Sequence, residues 1–339
     1  MAEQTPTLNA DMLEHPFAEF VRTIGRGKRA RRDFTREEAA ASFRLILAGH
    51  ATEAQIGAWL MLLRVKEETP DELAGFVDAC RGWFSEQQLT LPKADIDWPS
   101  YAGKKKHHPW YILSALLLAQ NGHRIFMHGG AAHTPQRLYA DDVLSQLGFP
   151  LAASLDDAHA QLDSSNFTYV GLNVLCPKLD ELLMMRFQLG LRSPVNTLTR
   201  CMNPTAAPTS LQSVFHPSYI ALQQGAAQLL KEPQLAIFKG EGGEVEIRPD
   251  AETKIFGLNN GTPFEAVWPT RMARQTPPGT AKTSELISVW RGEQENEYGE
   301  AAVIDTAAVV LFATGKMASQ EQAREMALKY WQARDKTRF

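Results

Sequence analysis

The sequence predicts an α/β protein, with a small N-terminal α-helical domain followed by a larger α/β domain built on a mainly parallel central sheet. Three observations lead there. Between Thr35 and Arg81, three capped amphipathic segments follow one another through short connections. After Pro92 the pattern changes to short apolar runs, RIFMH (Arg124–His128), Phe167–Leu172 and LAIFK (Leu235–Lys239), separated by helical stretches. Strands that alternate with helices need crossover connections, which make neighbouring strands parallel. The chain has 339 residues, 44% of them hydrophobic, enough for two cores. We place the helical domain at 1–90 and the α/β domain at 91–339.

Taken in order, residues 1–15 read as a polar arm, and Phe17, Phe20, Val21 and Ile24 as one face of a short helix. The densest charge run follows: Arg26, Lys28, Arg29, Arg31 and Arg32, with Arg36 beyond Asp33. Such a run is a solvated loop or a phosphate-contacting patch. Thr35 with Glu38 forms a capping box, Thr52 opens a second helix and Thr69–Pro70 a third. Further on, helices are predicted at Trp110–Gln120, Asp141–Leu147, 178–192, Ala301–Ala313 and Ala318–Ala333. Glu244–Arg248 (EVEIR) alternates like a strand, and 251–290 is polar and mixed.

The junction of the two domains, Asp95–Trp110 (DIDWPSYAGKKKHHPW), carries the strongest chemical signal. Lys104, Lys105, Lys106, His107 and His108 stand on a loop that opens an apolar helix. The unpaired N–H groups and positive dipole of a helix start make a natural anion site. The histidines read as partly charged helpers of that site, because adjacent residues do not converge on one metal ion. Trp98, Tyr101 and Trp110 lie beside the lysines, a combination that suits stacking on unpaired bases, although Trp110 at a helix start also reads as core.

The net charge of −4 excludes a polycation, so any nucleic-acid binding must come from local patches. Three distant cysteines give neither a disulfide framework nor a zinc motif, and a reducing cytoplasm is expected. No apolar run reaches membrane-spanning length, and the N-terminal residues lack a signal-peptide pattern.

The run Thr35–Arg81 resembles the N-terminal helical region of the anthranilate phosphoribosyltransferase family. The resemblance continues through NGHRIFMHGG, Met185–Asn203, KGEGGEVEIRP and VVLFATGK, in the family's order. It implies a helical domain hinged to an α/β domain, with part of 178–200 packing onto the helical domain, and a homodimer. It also implies where a phosphoribosyl pyrophosphate site would lie, and there the chain departs from the pattern. Trp98–Tyr101 stands roughly where the family has the cradle Gly-Thr-Gly-Gly-Asp, and bulky residues with a proline cannot copy such a cradle. Met127–Ala131 replaces Lys-His-Gly-Asn-Arg, keeping only His128 and Gly129 of that run. Val245 and Glu246 align with the family's magnesium pair, Asp-Glu. Arg186 and Asn196 match the aromatic-substrate region, where Arg186 either faces a carboxylate or forms a salt bridge at the domain seam.

With these departures the chain resembles a divergent branch of the family that kept the fold without the reaction, and that resemblance implies a dimeric, sequence-tolerant nucleic-acid-binding protein. Expected phosphate contacts are Arg26, Lys28, Arg29, Arg31, Arg32, Lys104, Lys105, Lys106, His107 and His108. The vestigial substrate site is His128, Gly129, Arg186, Asn196 and Glu246. No catalytic or metal residues and no cofactor are expected; the partners are DNA or RNA and a second copy of the chain, with no membrane. The alternative is a working phosphoribosyltransferase or related glycosyltransferase, with Mg²⁺ as its cofactor. A sensor of small phosphorylated ligands is a third possibility.

Overall fold

The computed structural model describes residues 14–27, 29–132 and 134–338. Lys28 and residues 1–13 of the polar arm lie outside the described residues.

Four helices form the N-terminal bundle: α1 (Ala18–Gly25), α2 (Arg36–Leu47), α3 (Glu53–Lys66) and α4 (Pro70–Glu86). Thr35, Thr52 and Thr69 each close a capping box, with Glu38, Gln55 and Glu72. Glu72 is fully buried, yet it accepts from Lys66 Nζ (2.7 Å) and from the amides of Phe34 and Thr69 (both 2.9 Å), so its charge is compensated. Phe43, Trp59 and Phe76 pack with ring centroids 5.0–5.8 Å apart. Gly75 lets α2 and α4 touch, since a Cβ there would lie 2.3 Å from the Arg36 carbonyl oxygen.

The second region holds β1 (Ile96–Ser100), β2 (Ile125–Gly129), β3 (Phe167–Gly171), β4 (Thr209–Val214), β5 (Gln234–Lys239), β6 (Thr253–Asn259) and β7 (Thr262–Trp268). They form one sheet in the order β3-β2-β1-β4-β5-β6-β7. The first five are parallel and the last two antiparallel. One face buries Ile125 and Met127 against α5 (Trp110–Gln120) and the apolar helix Glu297–Ala313. Phe126 and Val170, on the other face, join the apolar cluster of the helical bundle. The helix Tyr219–Leu229 packs on α4, where a Cβ on Gly225 would lie 3.0 Å from Pro70 Cγ. Arg36 ties this seam by bonding both Asp78 (2.6 Å) and the Leu229 carbonyl (2.8 Å).

Several expected elements differ. Residues 244–248 form no strand; they begin in a bend where Glu246 N donates to the Glu244 carbonyl (2.8 Å), and Glu244, Val245, Glu246 and Ile247 are all buried, so their alternation did not mark a two-faced strand. The polar stretch after 251 contains the β6–β7 hairpin, turning at Asn260–Gly261 with φ of 49° and 75°. Asn-Gly is the preferred pair for such a turn, so this signal was present in the sequence. The predicted helix over 178–192 is two pieces, Pro177–Met184 and Arg186–Leu189. Ile96–Ser100 is a strand despite Pro99. Its pairing with β4 stops at Asp97, two residues before the proline would interrupt that ladder.

Candidate anion-binding site

The strand order reverses between β1 and β4, and open α/β sheets bind ligands at such a point, beyond the carboxyl ends of the strands. Here the two strands pair only through Ile96–Thr209 and Asp97–Ser210. The turn Gly240–Glu246 bridges the gap beyond them. Ser213 Oγ donates to the Gly243 carbonyl (2.6 Å), while Glu244 Oε1 accepts from the amides of both Ala102 and Gly103 (2.6 Å each). Two adjacent amides aimed at one oxygen form a small anion cradle, and the chain's own carboxylate fills it. Burial raises the Glu244 carboxyl above its ordinary value, against the pull of those amides and Arg200.

Glu246 does the same at the start of α5. One carboxylate oxygen accepts from Tyr111 N (2.9 Å) and the other from Lys104 Nζ (2.7 Å), with both side chains buried. Burial pushes the Glu246 carboxyl up to about 7, opposed by the ammonium of Lys104. The donors at the helix start therefore meet an internal carboxylate, where the sequence led to the expectation of an external phosphate. Lys104, expected to face a phosphate, is turned inward and paired.

His107 and His108 also turn inward. The His107 ring stacks on Tyr298 (centroids 5.1 Å, 15° between planes), and His108 Nε2 lies 3.2 Å from Glu285. Burial lowers both imidazoles below the ordinary 6.5, with Glu241 and Glu285 opposing, so neither is a charged helper at neutral pH. Trp98, Tyr101 and Trp110 are at most 1% exposed and cannot serve as stacking platforms. Tyr101 Oη lies 2.7 Å from His128 Nδ1, and His128 Nε2 lies 3.2 Å from Asp97 Oδ1. A Cβ on Gly130 would lie 2.9 Å from Leu183 and 3.4 Å from the Tyr101 ring, and one on Gly129 2.4 Å from the Ser100 carbonyl. The space around the His128–Gly129 pair is thus filled by Tyr101 and its neighbours.

Lys105 and Lys106 alone of the five-residue basic run are exposed. They line a groove of about 880 Å³ together with Arg137, Lys239, Arg248 and Lys254 and the apolar Phe215, Ile220 and Phe256. Glu241 and Glu252 are the acidic groups in its wall. Arg137 is spent on the carbonyls of Ala102 (2.9 Å) and Gly103 (2.8 Å), Arg248 on Asp250 (2.8 Å) and Lys254 on Glu265 (3.3 Å). Among the described residues, Lys105, Lys106 and Lys239 have no ion-pair partner, and all three are exposed.

A second pocket, of about 270 Å³, lies between the two regions and is bordered by Arg64, Arg192, Asn196, Arg200, His216 and Tyr219. Phe215 borders both cavities. Burial lowers the Arg192 and Arg200 guanidinium groups, and the two also oppose each other at Arg192. Asn196 is placed here by its cap on Ser193 N (3.1 Å). Arg186 is placed elsewhere and donates to Thr134 Oγ1 (2.8 Å), so the arginines facing this pocket are Arg64, Arg192 and Arg200. Arg26, Arg29, Arg31 and Arg32 are exposed, Arg32 is paired with Glu38, and none lines either cavity.

The place of the family's metal does not fit one here. Val245 offers no oxygen, and both oxygens of Glu246 are already engaged. Among the described residues no three His, Cys, Asp or Glu side chains cluster as metal ligands.

The chain belongs to the glycosyl transferase family: residues 19–82 match its helical bundle domain and 112–333 its a/b domain. It is 30% identical over 209 residues to the Escherichia coli protein YbiB, covering 60% of this chain and 64% of that one. It is 29% identical over 217 residues to an anthranilate phosphoribosyltransferase of Desulfitobacterium hafniense, covering 64% of each. The fold is that of the anthranilate phosphoribosyltransferase of Thermus thermophilus, with a TM-score of 0.73 at 20% identity over 94% of both chains. The Saccharomyces cerevisiae enzyme in complex with PRPP and Mg gives 0.76 at 15% identity over 95% of both. The relatives named as transferases accord with the alternative expectation, and none of these names speaks of nucleic acid. No helix among the described residues is long and apolar enough to cross a membrane.

Proposed function

We propose that this chain binds the phosphate backbone of a nucleic acid, in a sequence-tolerant way, on a phosphoribosyltransferase-like fold. One observation carries the reading. The donors that would cradle a small pyrophosphate hold Glu244 and Glu246, while three lysines with no ion-pair partner among the described residues stand in an open groove beside them. Lysine ammonium groups around an open groove suit a chain of phosphates, each neutralised phosphate releasing counterions. A magnesium-bound sugar pyrophosphate would have to displace two buried carboxylates first.

The test is fluorescence polarisation with labelled oligonucleotides at two salt concentrations. Binding that weakens steeply with salt, and that is lost when Lys105, Lys106 and Lys239 are replaced together by Glu, is the expected result. Binding that survives the triple replacement would refute the assignment to this groove.

The second reading is phosphoribosyl transfer to an aromatic acid. It is supported by the relatives named anthranilate phosphoribosyltransferase and by the arginine-lined pocket between the two regions. It predicts loss of anthranilate fluorescence on incubation with phosphoribosyl pyrophosphate and Mg²⁺. Turnover there, without oligonucleotide binding, would replace the first reading by the second.

A further inference from the structure

We infer that the groove takes a single strand, and that Phe215 stacks on one of its unpaired bases. This rests on the nucleic-acid reading above and adds the strand form and the base contact. Phe215 is 53% exposed, unusual for a ring at the carboxyl end of a buried strand. It stands on the rim between the basic groove and the arginine-lined pocket, bordering both. His216 meets it edge to face (centroids 4.9 Å, 79°), which leaves a ring face for another partner. Gly243, with φ of 91°, lies beside it: a Cβ there would lie 3.7 Å from Phe215 Cβ and 3.9 Å from Phe215 Cδ2.

The chemistry on either side matches one nucleotide strand. Lys105, Lys106 and Lys239 offer charge to phosphates on one side of the ring, and Arg192 does so on the other, beside Arg200, whose guanidinium also donates to the Asn196 carbonyl. A strand crossing the rim would place a base against Phe215 while its backbone meets cations before and after. Stacking of this kind tolerates any base, because every base has a π-face. A duplex offers no free base face to the ring. It would engage only the outer lysines, through its backbone.

The experiment uses the full chain with oligo-dT, oligo-U and a blunt DNA duplex as probes, and inorganic polyphosphate as competitor. Phe215→Ala should weaken both single strands by roughly fivefold to a hundredfold, and leave duplex binding and the unfolding temperature unchanged. Phe215→Trp should keep the affinity, and its indole emission should be quenched by oligo-dT and left unquenched by polyphosphate. DNA and RNA strands of equal affinity identify stacking as the shared contact; a preference for either would add sugar recognition to it. If Phe215→Ala binds single strands as tightly as the parent, or the parent prefers the duplex, the inference falls while the groove's function stands. If no oligonucleotide binds at all, the functional reading itself fails, and this inference with it.

Discussion

Two neighbouring regions at the carboxyl edge of the sheet handle anions in opposite ways. The loop after β1 and the start of α5 have the donors of a phosphate cradle, and Glu244 and Glu246 satisfy them from within. The groove beside them presents Lys105, Lys106 and Lys239, which have no ion-pair partner among the described residues. The first arrangement turns charge into structure, and the second leaves charge for a partner. The difference teaches that a count of cations in a loop says little about binding until each cation's partner is known.

The largest expected effect comes from breaking the closed region. Glu246→Ala removes the acceptor of both Lys104 Nζ and the Tyr111 amide, and at pH 8, above the Glu246 value of about 7, urea unfolding should show a loss of about 3–5 kcal/mol. The double replacement Lys104→Met with Glu246→Met should lose far less, because both charges go together. Equal losses in the two variants would mean that the pair does not act as a unit.

The open region should behave in the reverse manner. Replacing Lys105, Lys106 and Lys239 by Glu should leave the unfolding temperature nearly unchanged and lower oligonucleotide affinity by about a hundredfold. The slope of log K against log salt should flatten by roughly 0.7 for each single-strand phosphate that the variant no longer neutralises. A variant that unfolds early would show that these lysines belong to the structure after all.

The pH dependence of stability separates the regions further. The folded Glu246 carboxyl is raised from the ordinary 4.5 to about 7, so between those values the folded state holds more proton than the unfolded chain. Its contribution is therefore fully present below about pH 4.5, and stability should fall as pH rises from about 4.5 to about 7, by at most about 3 kcal/mol. The double Met variant should lose that slope, as read by urea unfolding across the range.

The smallest effect belongs to Glu244→Gln. Its amide oxygen can still accept from Ala102 and Gly103, so the cost should be only about 1–2 kcal/mol, the difference between a charged and a neutral acceptor. A gain of phosphoribosyl transfer in this variant, read by anthranilate fluorescence, would show that one carboxylate alone had closed the cradle.

Much of the fold was legible in the sequence, for a local reason. Thr35–Glu38, Thr52–Gln55 and Thr69–Glu72 announce helices within four residues of chain. LAIFK and RIFMH read as buried strands because their faces are apolar on both sides. β4 (TSLQSV) escaped notice because its buried polar residues find hydrogen bonds that only the assembled sheet and the turn at Gly243 provide. Lys239, at the end of a recognised strand, and Arg192 and Arg200, within the segment that matched the family, were visible without being singled out.

The sequence by itself determined the helical bundle, the parallel sheet and the helix-start donors where α5 begins, since capping, periodicity and an unpaired helix start are properties of neighbouring residues. Only the tertiary structure decided what meets those donors. Glu244 and Glu246 lie more than 130 residues from the amides they cap, and a contact at that separation is set by how the sheet brings its strand ends together. The same closure buries Lys104 and leaves Lys105, Lys106 and Lys239 in the open groove, with Phe215 exposed at its rim.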